Sequence, residues 1–308
     1  MQRILVIKLG AFGDMIVALG PFQAVRRAHP DARITLLTTP PFESLGRACG
    51  LFDEVLPIGR AKGLRAWLHL VREMRRRDFQ RVYDFQRNDR TRLLHALMTP
   101  GRRLEWSGVI KGASLYCPNT PDPPRQAFVR YCEQLAVAGI RDVPLPDISF
   151  LRADISGLGV NAPYVLLVPG ASPKRPGKRA PAALYAAMGR RLLERGFTPV
   201  LVGTAAEADI LREITAACPC ALDLCGRTDF AALAELGRGA SAALGNDTGP
   251  VHLLAVAGCP TFVLFSDASD PRECRPLGRK VEVLQHSPLA DLREDDLWSA
   301  FAPLLPRP

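Results

Sequence analysis

At 308 residues the chain is longer than one hydrophobic core ordinarily supports, so two domains of similar size are expected. Hydrophobic residues make up 47% and charged residues 23%, globular proportions, and no stretch approaches the ~20 apolar residues of a membrane-spanning helix. The net charge of +9 is one-sided: residues 1–150 hold 23 Lys+Arg against 14 Asp+Glu, and residues 151–308 hold 17 against 17, which points the first half at an anionic lipid surface or phosphorylated acceptor; with aromatics at 7% and no nucleic-acid module, nucleic acid is set aside.

The chain opens on Ile4-Leu5-Val6-Ile7-Lys8-Leu9, a strand-like run stopped by Gly10, without the cleavage site of a signal peptide, so a mature cytoplasmic protein is expected. Strands are predicted at 4–9, 33–38, 54–58, 81–85 and 103–107, and apolar positions recur at helical spacing over 14–29, 64–77, 90–98 and 125–139. Such alternation specifies a parallel sheet with crossover helices. A proline-rich loop covers 118–125, and Asp142-Val143-Pro144-Leu145-Pro146 reads as an interdomain linker, placing the boundary near residue 150. The second half repeats the scheme, with strands at 164–168, 198–203, 221–225, 241–245, 260–265 and 281–285 and helices at 181–195, 206–217, 230–238 and 249–257. A last helix is predicted over 291–305, packing back across the domains. The eight cysteines lack paired CxxC spacing and read as free thiols in a reducing compartment, with no metal site.

Ligands of open parallel sheets bind beyond the carboxyl ends of the strands, so the loops there carry the chemistry. The first is Gly10-Ala11-Phe12-Gly13-Asp14. Its GxxG spacing, and the lack of an acidic residue after the second strand at Thr38-Thr39, argue against a nicotinamide dinucleotide. Asp14 is either a helix-start acid favoured by the dipole or, at the cleft mouth, a general base. The second loop runs from Pro169 through Ser172, Lys174, Arg175, Lys178 and Arg179; its cations and glycines suit a diphosphate, but it departs from the Walker A pattern and disfavours ATP hydrolysis. The third, Gly245-Asn246-Asp247-Thr248-Gly249-Pro250-Val251-His252, opens a helix whose N–H groups and dipole face a phosphate, with the Thr248 hydroxyl as a further donor and His252 in the first turn.

Together the segments ILVIKLGAFGDMIVALG, VPGAS with KRAP after it, and GNDTGPVHLLAVAGCPTFVLFS resemble the heptosyltransferase family of glycosyltransferases, in order and spacing over most of the chain. The resemblance implies the GT-B architecture: α/β, two Rossmann-like doubly wound domains facing a central cleft, with an acceptor-binding domain at 1–150 and a nucleotide-sugar-binding domain at 151–308. It implies inverting transfer of heptose from ADP-heptose to a lipopolysaccharide inner-core acceptor. Asp14 matches the family's base, Lys178 the lysine on the donor diphosphate with Ser172 near the phosphates, and Glu207 the acid on the ribose. Asp247, Thr248, Gly249, Pro250 and His252 match the signature around the ADP moiety.

The loop from Ser172 to Lys178 is longer than the family pattern and carries Lys174 and Arg175 as additional cations. One carboxylate base with no carboxylate nucleophile gives direct displacement with inversion. Lys178 and the helix starting at Gly249 stabilise the departing diphosphate. No cofactor is required on this reading; ADP-heptose is a substrate, and a divalent metal ion enters only as a stimulant. The partners are this donor and an anionic glycolipid at the cytoplasmic face of the inner membrane, where the protein is expected to associate peripherally. Helix Leu64–Arg77 and loop Arg87–Arg92 are the basic segments for that contact. The competing readings are a related glycosyltransferase with another sugar or acceptor, and a non-catalytic nucleotide-sugar-binding protein on the same fold.

Overall fold

The computed structural model describes residues 1–58, 63–118, 123–172 and 175–306. Lys174 and residues 119–122 of the proline-rich loop lie outside the described residues. Two compact units divide the chain, Met1–Asp147 and Ile148–Pro308.

The first unit runs β1 (Arg3–Ile7), α1 (Phe12–Ala28), β2 (Arg33–Thr38), α2 (Glu43–Ala48), β3 (Glu54–Pro57), α3 (Gly63–Arg76), β4 (Arg81–Asp84), α4 (Asp89–Met98), β5 (Glu105–Gly108), β6 (Leu115–Tyr116) and α5 (Ala127–Val137). Its parallel sheet has the order β3-β2-β1-β4-β5-β6. Ile4, Leu5, Val6 and Ile7 are completely buried, as a central strand covered on both faces requires. Helix α1 is apolar on nearly every side because it packs on the sheet and against α5 as well. The segment around Pro144, read from sequence as a linker, lies against α1: a Cβ on Gly20 would stand 2.0 Å from the Pro144 carbonyl oxygen, so only glycine permits the approach.

The second unit runs β7 (Tyr164–Val168), α6 (Ala182–Glu194), β8 (Thr198–Leu201), α7 (Ala208–Ala217), β9 (Leu222–Asp223), α8 (Phe230–Gly239), β10 (Ala242–Asn246), α9 (Gly249–Val256), β11 (Thr261–Phe265), α10 (Pro271–Cys274), β12 (Val281–Gln285) and α11 (Glu294–Phe301). The order β12-β11-β10-β7-β8-β9 is that of the first unit, counted from its own first strand. Each unit is therefore a doubly wound α/β sheet, and each reverses strand order beside its first strand, between β1 and β4 and between β7 and β10.

The structure departs from the sequence reading in its short elements. Helices α2 and α10 and the two-residue strand β6 are too brief for a periodic signal. The helix predicted over 291–305 is broken into 3-10 turns at Leu289–Asp291 and Ala302–Leu304 flanking α11. Leu292 is extended, and Pro303 sits at the start of the final turn. Leu297, Phe301 and Leu304 of this closing segment join the core of the second unit, where Phe301 meets Phe262 edge to face at 5.8 Å.

Candidate active site

In the first unit the strand-order reversal is built from buried polar groups. Lys8 directly follows β1 and is only 2% exposed, yet its ammonium group is fully partnered: it donates to the Phe85 carbonyl at 3.2 Å and the Tyr131 hydroxyl at 2.9 Å, and stands 3.5 Å from Asp14 Oδ2. Burial opposes its charge, but Tyr131 and Asp14 outweigh burial and hold its pKa above the ordinary lysine value. At the end of β4, Asp84 is completely buried, which raises its pKa; its Oδ1 accepts the backbone N–H groups of Gln86 and Arg87 at 3.0 and 3.1 Å. Gln134 of α5 donates to the Asp84 and Ser107 carbonyls, and Leu9 N–H donates to Gln86 at 2.7 Å. These bonds tie the carboxyl ends of β1, β4 and β5 into one rigid edge.

Asp14 stands on that edge. Gly10 turns the chain with φ +126°, in contact with the Phe42 ring, and α1 begins at Phe12, which makes Asp14 a first-turn residue rather than the N-cap. Its side chain is about half exposed, at 48%, so one flank is held by Lys8 and the other is open. A carboxylate so placed can accept a proton from an incoming hydroxyl.

In the second unit the loops after β7 and β10 meet through Asn246, which is fully buried. Its amide donates to the carbonyls of Pro169 and Gly170 at 2.8 and 3.3 Å, and its oxygen accepts the Ala180 N–H at 3.2 Å. Lys178, 8% exposed, ends a 3-10 turn and makes an ion pair with Asp247, 7% exposed. Thr248 is the N-cap of α9, but its hydroxyl donates back to the Asn246 carbonyl at 3.3 Å instead of capping the helix. The leading N–H groups of α9 thus keep their positive end for a ligand, with Gly249 and Pro250 as the first helical residues and His252 in the same turn.

Glu207 accepts from the Thr204 N–H at 2.8 Å and from its hydroxyl in a capping box, and its side chain lies under Gly170, where an added Cβ would come within 2.8 Å of Glu207 Cγ. The structure thus gathers Lys178, Glu207, Asp247, Thr248, Gly249, Pro250 and His252 around the carboxyl ends of β7, β8 and β10, with Ser172 exposed in the neighbouring loop. Sequence reasoning passed over Lys8 and Asn246. A lone lysine closing an apolar strand and an asparagine ending one were the available signals, since neither is buried without several partners.

Residues 67–297 match the model of glycosyltransferase family 9 (heptosyltransferase), a segment that includes the Lys178–Asp247 site and begins after Asp14. The lipopolysaccharide heptosyltransferase 2 of Salmonella typhimurium is 24% identical over 92% of this chain and 88% of its own. Among solved structures, a family 9 glycosyltransferase from Veillonella parvula superposes with a TM-score of 0.81 at 18% identity, covering 98% of this chain and 97% of that one. The E. coli ADP-heptose lps heptosyltransferase II gives 0.78 at 20% identity, covering 98% of both chains. These two likenesses establish the GT-B fold of the heptosyltransferases. The chain belongs to glycosyltransferase family 9 and is a glycosyltransferase of the lipopolysaccharide heptosyltransferase type.

Proposed function

We propose that this enzyme transfers a heptose from ADP-heptose to an anionic inner-core glycolipid, with inversion at the anomeric carbon. The observation that carries the reading is the buried Lys178 beside the uncapped N-terminus of α9, at the strand-order reversal of the second unit. A buried lysine ion-paired with Asp247, next to the positive end of a helix, is built to receive a diphosphate and to stabilise the charge it gains on leaving. Ser172, Thr248 and His252 add donors around the phosphates, and Glu207 holds the ribose. Adenine as the base and heptose as the sugar follow from the likeness to the ADP-heptose enzyme, not from a residue that reads them.

Asp14 takes the proton of the acceptor hydroxyl as its oxygen attacks the anomeric carbon. The bond to the diphosphate breaks, and the electron pair leaves on the phosphate oxygen. With a single base and no carboxylate nucleophile the displacement is direct. No helix among the described residues is long and apolar enough to cross a membrane, and the basic first unit supports peripheral association with the cytoplasmic face of the inner membrane.

Titration calorimetry with ADP, UDP and GDP, followed by product analysis on a heptose-deficient glycolipid acceptor, tests the reading. Preferential ADP binding and a mass gain of one heptose support it. A preference for UDP or GDP overturns the donor, and ADP binding without transfer leaves a nucleotide-binding protein.

A further inference from the structure

Helices α3 and α4 pack side by side on one face of the first sheet. They bury Leu70, Val71 and Met74 from one helix and Leu94 and Met98 from the other. Their outer faces carry exposed leucines among the charged side chains. Leu68 is 57% exposed, and Leu93 and Leu97, one turn apart on α4, are 43% and 36% exposed. On α3, Arg65, Leu68, Arg72 and Arg75 follow one another at helical spacing and so share a stripe. Arg75 reaches across to the Leu97 and Pro100 carbonyls at 3.4 and 3.3 Å, which joins that stripe to the exposed end of α4.

The two helices carry six arginines, at 65, 72, 75, 76, 90 and 92, against the acids Glu73 and Asp89. Glu73 is paired with Arg76 and Asp89 with Arg92. Exposed leucines rimmed by arginines match what an interfacial membrane contact requires: apolar side chains enter the acyl boundary while guanidinium groups meet anionic headgroups.

We propose that the outer face of α3 and α4 is a docking surface for an anionic lipid bilayer, with Leu68, Leu93 and Leu97 inserted and Arg65, Arg72 and Arg90 on the headgroups. It deepens the reading of an anionic glycolipid acceptor, because an acceptor of that class is presented in such a bilayer.

Vesicle flotation tests the surface without glycolipid or nucleotide, so that an incorrect donor or acceptor does not affect the outcome. Full-length protein is floated with phosphatidylglycerol or phosphatidylcholine vesicles at low and high salt, beside L68E/L97E, R65A/R72A and the control Leu193→Glu on the second unit. Thermal melts by circular dichroism verify that each variant is folded. The expected result is binding to phosphatidylglycerol alone, weakened by salt and reduced at least about tenfold in L68E/L97E. R65A/R72A is expected to lose roughly fivefold per arginine, and Leu193→Glu to bind like wild type. No flotation with phosphatidylglycerol at low salt, or equal flotation of wild type and L68E/L97E, overturns the proposal and leaves the leucines to a protein partner.

Discussion

On the proposed reading Lys178 and Asp247 do two jobs that a paired substitution can separate. Both are buried, at 8% and 7% exposure, and their ion pair links the loop after β7 to the one after β10. Replacing Lys178 with Met removes the cation and strands a desolvated carboxylate, which costs about 3–5 kcal/mol. For a unit of this size that corresponds to roughly 6–20 °C in the melting temperature. Adding Asp247→Asn removes the stranded charge, so the double variant is expected to recover at least about 2 kcal/mol relative to Lys178→Met alone. Donor binding behaves differently. Loss of a charge-assisted contact to phosphate costs about 1.5–3 kcal/mol, or roughly ten- to a hundredfold in ADP affinity, and Asp247→Asn cannot restore it. Scanning calorimetry and ADP titration on the two single variants and the double variant read both quantities. A melting temperature for Lys178→Met within ~2 °C of wild type would show that the pair is hydrated in solution, contrary to its burial. Recovery of ADP affinity in the double variant would refute the assignment of Lys178 to the diphosphate.

Asp14→Asn keeps the helix start and the contact with Lys8 but cannot take a proton; kcat is expected to fall by about 10²–10⁴ while ADP affinity stays within a few-fold, and an unchanged kcat in single-turnover assays would remove Asp14 from the chemistry. Gly245 lies in β10 where a Cβ would stand 2.7 Å from Val251 Cγ1 and 2.8 Å from Val168 Cβ, so Gly245→Ala is expected to cost about 1–3 kcal/mol by urea titration, with a neutral result contradicting the packing of α9 on β7 and β10. Burial pushes the Tyr164 phenol up to about 12, and its hydroxyl donates to the Leu236 carbonyl at 2.8 Å. Because the folded pKa is the higher one, this stabilisation is complete below the unfolded tyrosine value of about 10 and is lost as pH rises toward 12. Thermal melts of wild type should therefore steepen their decline over that window relative to Tyr164→Phe, and parallel curves would argue against the buried phenol.

The two α/β sheets were legible in the sequence, because a strand buried on both faces is written as a continuous apolar run and a crossover helix as a 3.6-residue period, both local signals. It also fixed which loops carry the glycines, the cations and the Gly249-Pro250 helix start, since helix-opening chemistry is read from adjacent residues. What it could not show were pairings between residues far apart in the chain. Lys178 finds Asp247 across 69 positions, Asn246 reaches Pro169 and Gly170 across 77 and 76, and Lys8 meets Tyr131 across 123. Such contacts exist only once the strands adopt the order β3-β2-β1-β4 and its repeat in the second unit, which sets the ends of β1 and β4, and of β7 and β10, side by side. The closing segment shows the limit from the other direction. Its apolar spacing allowed one helix over 291–305, but Leu297 and Phe301 reach the core of the second unit from α11 and Leu304 from the 3-10 turn that follows it, and burial of those side chains outweighs helical continuity.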